Sequence, residues 1–356
     1  METYKHWAIE TLQKLIAIPS VSCEEADAVR FFQQALLKIG IKTDNDRLNL
    51  IATSPDFDPS KPTILLNSHI DTVKPVSGWS YDPYTPTLVG DRLYGLGSND
   101  AGASLVSLAV AFACLTNRPQ PNNFIYLATC QEEISGPEGM DYMSKRLQPV
   151  HFGVIGEPSM MQPATAEKGL MVLNCEVKGR SGHAARKEGE NAIMKALPVI
   201  RAINGFPFSK ISELVGPVKC TVTQVEAGTQ HNVVPDSCRF VVDIRTNELY
   251  RNEEIFDTLQ QSFPECEMKA RSFLLNASFI EHEHPFVQRA IRLGLTPYSS
   301  QTVSDQSYLD CPTLKMGVGD SVRSHTANEY IELREIREGI DIYCTLLDNL
   351  NLSCQK

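Results

Sequence analysis

None of the ten cysteines falls in a Cys-x-x-Cys pair. That absence removes the thiol-rich metal modules and the common redox motif from consideration. Cys114, Cys130 and Cys175 lie inside apolar runs, where a reduced thiol behaves as a small hydrophobe. A disulfide-free, cytoplasmic protein is therefore expected. Basic excess is missing too: 33 Lys and Arg against 43 Asp and Glu leave a net charge of −10. This argues against general affinity for nucleic acid or anionic membrane. The opening Met-Glu-Thr-Tyr-Lys-His-Trp lacks the apolar core and small-residue cleavage site of a signal peptide. No apolar stretch reads as long enough to span a bilayer.

What is present suits two domains, since 356 residues exceed one typical core. A short apolar strand is predicted at 64–66. It runs into His69, with Asp71 two residues later. Side chains of an extended chain repeat with period two, so His69 and Asp71 point the same way. An imidazole can bind a metal while a neighbouring carboxylate orients it. A chance surface pair has the same pattern.

Helical spacing predicts a first helix over 3–18, stopped by Pro19. Ser22-x-x-Glu25 reads as a capping box for the next helix, which carries Val29, Phe32, Leu36 and Ile39 on one face and ends at Gly40. Strands are predicted around Ile51 and at 124–129, 152–155 and 313–316. Asp100 heads a small-residue helix over 104–115, where an N-cap role accounts for it equally well. Several of these strands are followed within a few residues by a metal-capable or acidic group. In open α/β sheets ligands bind beyond the carboxyl ends of the strands. His69, Glu132, Glu133, Glu157 and His325 would gather at that edge, with Asp100 arriving from a loop.

The middle of the chain has a different rhythm. Strands are predicted at 170–177, 220–225, 239–244 and 268–274, with helices at 192–202 and 255–263. The order β-α-β-β-α-β is the ferredoxin-like pattern, and it carries few candidate ligands. The expected organisation is a catalytic domain made of 1–166 and 279–356, with a separate domain inserted at 167–278.

These residues resemble the zinc aminoacylase and carboxypeptidase group known as the M20 metallopeptidases, and within it the acetylornithine deacetylase and succinyl-diaminopimelate desuccinylase branch. The matching pieces are Ser68-His69-Ile70-Asp71, Gly97-Ser98-Asn99-Asp100, Glu132-Glu133, Gly156-Glu157-Pro158-Ser159 and Ser324-His325-Thr326-Ala327-Asn328-Glu329. Gly179-Arg180-Ser181-Gly182-His183-Ala184, Asn232-Val233-Val234-Pro235, Asp243 and Arg245 match in the inserted domain. The resemblance implies an α/β fold: a mixed-sheet zinc-hydrolase domain with an inserted α+β lid and dimerisation domain.

It also implies two Zn²⁺ per subunit, with Co²⁺ or Mn²⁺ as possible substitutes. His69 and Glu157 would complete one metal, Glu133 and His325 the other, and Asp100 would bridge them. Glu132 would be the general base and Asp71 the carboxylate behind His69. His183 would hydrogen-bond the oxyanion, reaching across a homodimer, although Ser-Gly-His-Ala also reads as a simple turn. Asn232 and Arg245 would hold a substrate carboxylate, and a structural ion pair is an equal reading of Arg245. After Asp100 the family commonly has Lys-Gly-Gly, whereas here Ala101-Gly102-Ala103 follows. The ligand is kept and a nearby cation is missing.

The implied activity is removal of an N-acyl group from an amino acid, first an N-acetyl or N-succinyl ornithine or citrulline of arginine biosynthesis. The alternatives are succinyl-diaminopimelate desuccinylation, a di- or tripeptidase, and a metal-free binding or scaffold relative.

Overall fold

The computed structural model describes residues 1–352. They form two compact units: Met1–Thr165 with Ile280–Tyr298 and the chain from Ser304 onward, and Ala166–Phe279 with Ser299–Val303. The segment 299–303 carries no signal in the sequence. It counts with the second unit, where the Lys168 amide donates to the Ser300 carbonyl (3.2 Å).

The first unit is a mixed sheet with the strand order Asp44–Asp46, Asn49–Thr53, Asn123–Thr129, Thr63–His69, Phe152–Ile155, Thr313–Lys315, Ala164–Glu167. The four strands from Asn123–Thr129 to Thr313–Lys315 run parallel. All seven residues of Thr63–His69 are buried, as expected of a parallel strand covered on both faces. Ile64 and Leu66 face one core together with residues of the helices Glu2–Ile16, Ala26–Lys38, Ala103–Thr116 and Leu333–Leu347. Leu65 faces the other, with Ile125, Leu127, Met140 and Met143. Each such fully buried side chain is worth about 1.5–3 kcal/mol relative to exposure.

Two sequence expectations need correction. The segment Ser98–Thr116 is 19 residues long and apolar enough, by length and composition, to cross a membrane, and 78% of it is buried inside the protein. It is the central core helix with the turn before it. Nor does Ser22 cap the second helix, whose N-cap is Glu25 without a side-chain cap bond. The Ser22 hydroxyl donates instead to Asp71 Oδ2 (2.6 Å), since a carboxylate is the stronger acceptor.

The second unit is a four-stranded antiparallel sheet in the order Lys219–Ala227, Ser237–Thr246, Gly169–Lys178, Cys266–Ala270. The helices Ala192–Asn204 and Asn252–Ser262 contribute Ala196, Val199, Ile255 and Leu259 to its core. The last strand starts and stops earlier than the predicted 268–274. A short ribbon pairs Gly182–His183 with Val233–Val234. The nine cysteines of the described residues are all free.

Candidate metal centre

The parallel strands of the first unit deliver their carboxyl ends to one edge. In register, His69 lies opposite Thr129, and Asn67 lies opposite Ile155. After Thr129 the chain turns sharply, with Gln131 at φ 56°, into the single 3-10 turn Glu132–Ile134. After Ile155 it reaches Glu157 within two residues. Asp100 sits in the tight turn Ser98–Gly102 ahead of the core helix. That turn needs its glycines: Gly97 has φ +72°, and a Cβ there would lie 2.6 Å from Thr72 Cγ2. A Cβ on Gly102 would lie 2.4 Å from the Gly97 carbonyl oxygen. The N-cap of the core helix Ala103–Thr116 is Gly102, so the N-cap reading of Asp100 does not hold.

The side chains converge. His69 Nε2 lies 3.2 Å from Asp100 Oδ1 and 3.6 Å from Glu157 Oε1. His325 Nε2 lies 2.9 Å from Glu133 Oε2 and 3.5 Å from Asp100 Oδ2. The two oxygens of Asp100 thus face two different histidines. Two overlapping groups have ligand atoms all within 4.8 Å of one another: His69 with Glu132 and Glu157, and His69 with Asp100 and Glu133. Glu132, expected to act apart from the ligands, therefore stands among them.

The ring of His69 is backed by the Asp71 carbonyl as well as by its carboxylate. Its Nδ1 lies 2.9 Å from the Asp71 backbone carbonyl and 3.6 Å from the Asp71 carboxylate. A carbonyl only accepts, so Nδ1 carries a proton, and Nε2 is the nitrogen turned toward Asp100 and Glu157. The Asp71 carboxylate takes the backbone amides of Glu132 (3.0 Å) and Glu133 (3.2 Å) as well as the Ser22 hydroxyl. It ties the Glu132–Glu133 turn to the strand end that bears His69.

The donor set fits a pair of divalent cations. Glu157 Oε1 is buried without a hydrogen-bond partner among the described residues, a costly state for a carboxylate that receives no positive charge. Burial, with Asp100 adding, pushes Glu157 up to about 8. Glu132 is held well above the usual carboxylate range by burial and then by Glu157. His69 is raised well above its ordinary value: burial opposes its charge, and Glu157, Asp100 and Asp71 outweigh it. His325 is raised to about 9 by its hydrogen bond to Glu133. A cluster that draws protons in this way is short of positive charge. Imidazole nitrogen and carboxylate oxygen are ligands that Zn²⁺, Co²⁺ and Mn²⁺ accept.

Several residues at this centre have roles that no motif signals. Buried Glu25 accepts the Gln131 amide at Oε1 (3.2 Å). Asp305 is buried, accepts the Thr129 hydroxyl (2.7 Å), and is raised to about 6 by burial. Glu329 stands inside a matched motif, but its partners are backbone amides of the Asp100 turn.

In the second unit, His183 and Asn232 are neighbours: His183 pairs with Val233, and the Ala184 amide donates to the Asn232 carbonyl (3.0 Å). His183 is exposed. Its Nδ1 accepts from the Ala185 amide (3.1 Å), which leaves the proton on Nε2. Arg245 forks onto Asp243 at 2.9 and 3.0 Å. This is the structural ion pair, and it engages Nε and Nη2. Lys219 lies opposite Arg245 across the strands. Buried Lys168 donates to the Pro217 carbonyl (3.0 Å), and its pKa is lowered by burial and then by Lys219 and Arg245.

A mixed α/β sheet with two overlapping His–carboxylate groups beyond its strand ends is an arrangement that suits a two-metal hydrolase. Residues 65–349 match the model of peptidase family M20/M25/M40. The chain belongs to this family and is a metal-dependent amide hydrolase. It is 26% identical over 370 residues to a succinyl-diaminopimelate desuccinylase of Parvibaculum lavamentivorans, covering 94% of this chain and 93% of its relative. It is 24% identical over 386 residues to the enzyme of that name from Pelagibacter ubique, covering 98% and 100%. Among solved structures, an aminopeptidase from Bacillus cereus superposes with a TM-score of 0.80 at 20% identity, covering 97% and 98%. A dinuclear metal-binding peptidase of the M20 family from Bacillus subtilis gives 0.74 at 15%, covering 98% of each chain.

Proposed function

We propose that this chain removes a succinyl group from the nitrogen of an amino acid, with a diaminopimelate derivative as the first candidate. The observation that carries the hydrolase chemistry is the Asp100 carboxylate, whose two oxygens face His69 and His325. Support for the succinyl group comes from the full-length relatives, which favour the desuccinylase alternative over the acyl-ornithine or citrulline reading. A second feature is in the second unit, where Lys168 and Lys219 stand beside Arg245, whose guanidinium forks onto Asp243. Like charges opposite one another on paired strands are unfavourable, so this group suits a ligand that carries a carboxylate.

His69, Asp100 and Glu157 would hold one metal, and Asp100, Glu133 and His325 the other. Bound there, the metals would polarise the scissile carbonyl and make water more acidic. Glu132 takes the proton from the attacking water and hands it to the departing amine nitrogen. His69 stays in one tautomer because its Nδ1 proton is held by the Asp71 carbonyl. Asp71 keeps Glu132 and Glu133 in place through their amides.

The test is a hydrolysis panel of N-succinyl and N-acetyl diaminopimelate, ornithine and citrulline, plus a dipeptide and a tripeptide, with free amine as readout. The N-succinyl compounds are expected to lead in kcat/KM. Preference for acetyl substrates or for peptides would reject the reading.

The second unit is proposed to join two copies through residues 167–278. Support comes from the exposed Ile193, Met194 and Leu197 on the helix Ala192–Asn204 and from the strand Lys219–Ala227 at the sheet edge. Exposed apolar groups and unpaired edges invite association. His183, with its proton on Nε2, is then placed to donate to an oxyanion in the neighbouring copy. Inactive His183→Ala and Glu132→Gln proteins, mixed under proven subunit exchange, should regain activity, because one site of each mixed dimer lacks neither group. Persistent inactivity would remove the cross-subunit role.

A further inference from the structure

The main-chain amides of the turn that bears Asp100 do not serve Asp100. The Gly97 amide donates to Glu329 Oε2 (3.1 Å), and the Asn99 and Asp100 amides donate to Glu329 Oε1 (2.8 and 2.9 Å). Glu329 is 1% exposed. Its carboxylate bonds to no Lys or Arg among the described residues. Its own carbonyl accepts the Gly95 amide (3.1 Å), and the strand Tyr330–Glu332 that follows pairs with Arg92–Tyr94. Register therefore fixes Glu329 beneath the turn from both sides. The same turn is held elsewhere by Asn99, whose Oδ1 accepts the Asp320 amide (3.0 Å) and whose Nδ2 donates to the Asp320 carbonyl (3.1 Å).

A carboxylate in a tight turn usually captures nearby backbone amides for itself. Here a second carboxylate captures them, and the oxygens of Asp100 face the two histidines and Ser324 instead. Three hydrogen bonds from the loop amides form a rigid nest around the Glu329 side chain.

We infer that Glu329 is the positioning residue for Asp100, aiming its two oxygens so that one carboxylate serves both metals. The inference rests on Asp100 as the shared ligand. It predicts that Glu329 acts on both metals together, although it touches neither histidine.

The test uses the full metal-stripped chain, with Zn²⁺ affinity read by chelator competition and Co²⁺ coordination read by its visible spectrum. Glu329→Gln presents an amide nitrogen where an oxygen now accepts. It should weaken both equivalents about 10–100-fold, the range for partners that orient a metal ligand, and change the Co²⁺ spectrum. Glu329→Asp keeps the charge with a shorter reach, and should lose less. In an Asp100→Asn background the Glu329→Gln loss should shrink below about threefold, because the residue it aims no longer bridges. Parent-like affinity for both metals in Glu329→Gln would overturn the inference, as would an equal loss in both backgrounds. If Glu329→Gln fails to fold, Glu329→Asp decides: parent-like affinity and spectrum overturn it. Full binding of two equivalents by Asp100→Asn alone would instead count against the shared-ligand reading beneath it.

Discussion

Glu132→Gln should lower kcat by at least roughly 10²-fold, the lower end of what general-base catalysis contributes. The amide keeps the shape and most of the hydrogen bonding of the side chain but cannot take a proton from water. The native carboxyl is suited to that transfer. It is buried beside Glu157 and held well above the usual carboxylate range by burial and that neighbour, a direction that brings a carboxylate base closer to neutral pH. Because its oxygen also lies within 4.8 Å of ligand atoms of His69 and Glu157, kinetics and metal content must be measured on the same sample. The expected result is two metals bound and little turnover. Near-parent kcat in a fully metallated variant would remove Glu132 from its role. Loss of a metal with loss of activity would make it a ligand.

Asp100→Ala should have the largest effect on metal content. One residue supplies an oxygen toward His69 and another toward His325, so its loss should lower occupancy of both positions by more than the roughly 10–100-fold that loss of an orienting partner costs. His325→Ala should empty mainly the position shared with Glu133. Elemental analysis after exhaustive dialysis separates the two patterns. Two full equivalents in Asp100→Ala would contradict the shared role.

Much of this centre is legible in the sequence because parallel strands impose a rule. A buried apolar run ends, and the next polar residues stand at one edge. His69, Glu132, Glu133 and Glu157 follow that rule directly. The residues that hold them in place do not, because their partners are remote. Ser22 has the spacing of a cap, yet it bonds Asp71, 49 residues away. Glu329 reaches across 229 residues to the Asp100 amide. No local pattern reports a buried carboxylate that accepts remote amides or hydroxyls, so the roles of Glu25, Asp305 and Glu329, and the amide bonds of Asp71, emerge only in the fold. Arg245 and Asp243 are the opposite case: residues two apart on a strand share a face, so their pairing can be read locally. The segment 98–116 marks another limit, since composition alone does not separate a helix buried in protein from one buried in lipid. Strand and helix types in the second unit are legible from their period. Their ends shift by a few residues, where tertiary packing extends or frays an element.

The proposed two-metal centre is organised by one carboxylate, Asp100. The most direct test is titration of metal-stripped protein with Zn²⁺ while hydrolysis of an N-succinyl amino acid is followed. The arrangement of His69, Asp100, Glu133, Glu157 and His325 predicts no turnover without metal, and activity that reaches its plateau at two equivalents per chain. Turnover in the stripped protein, or binding that saturates at one equivalent with full activity, would contradict it.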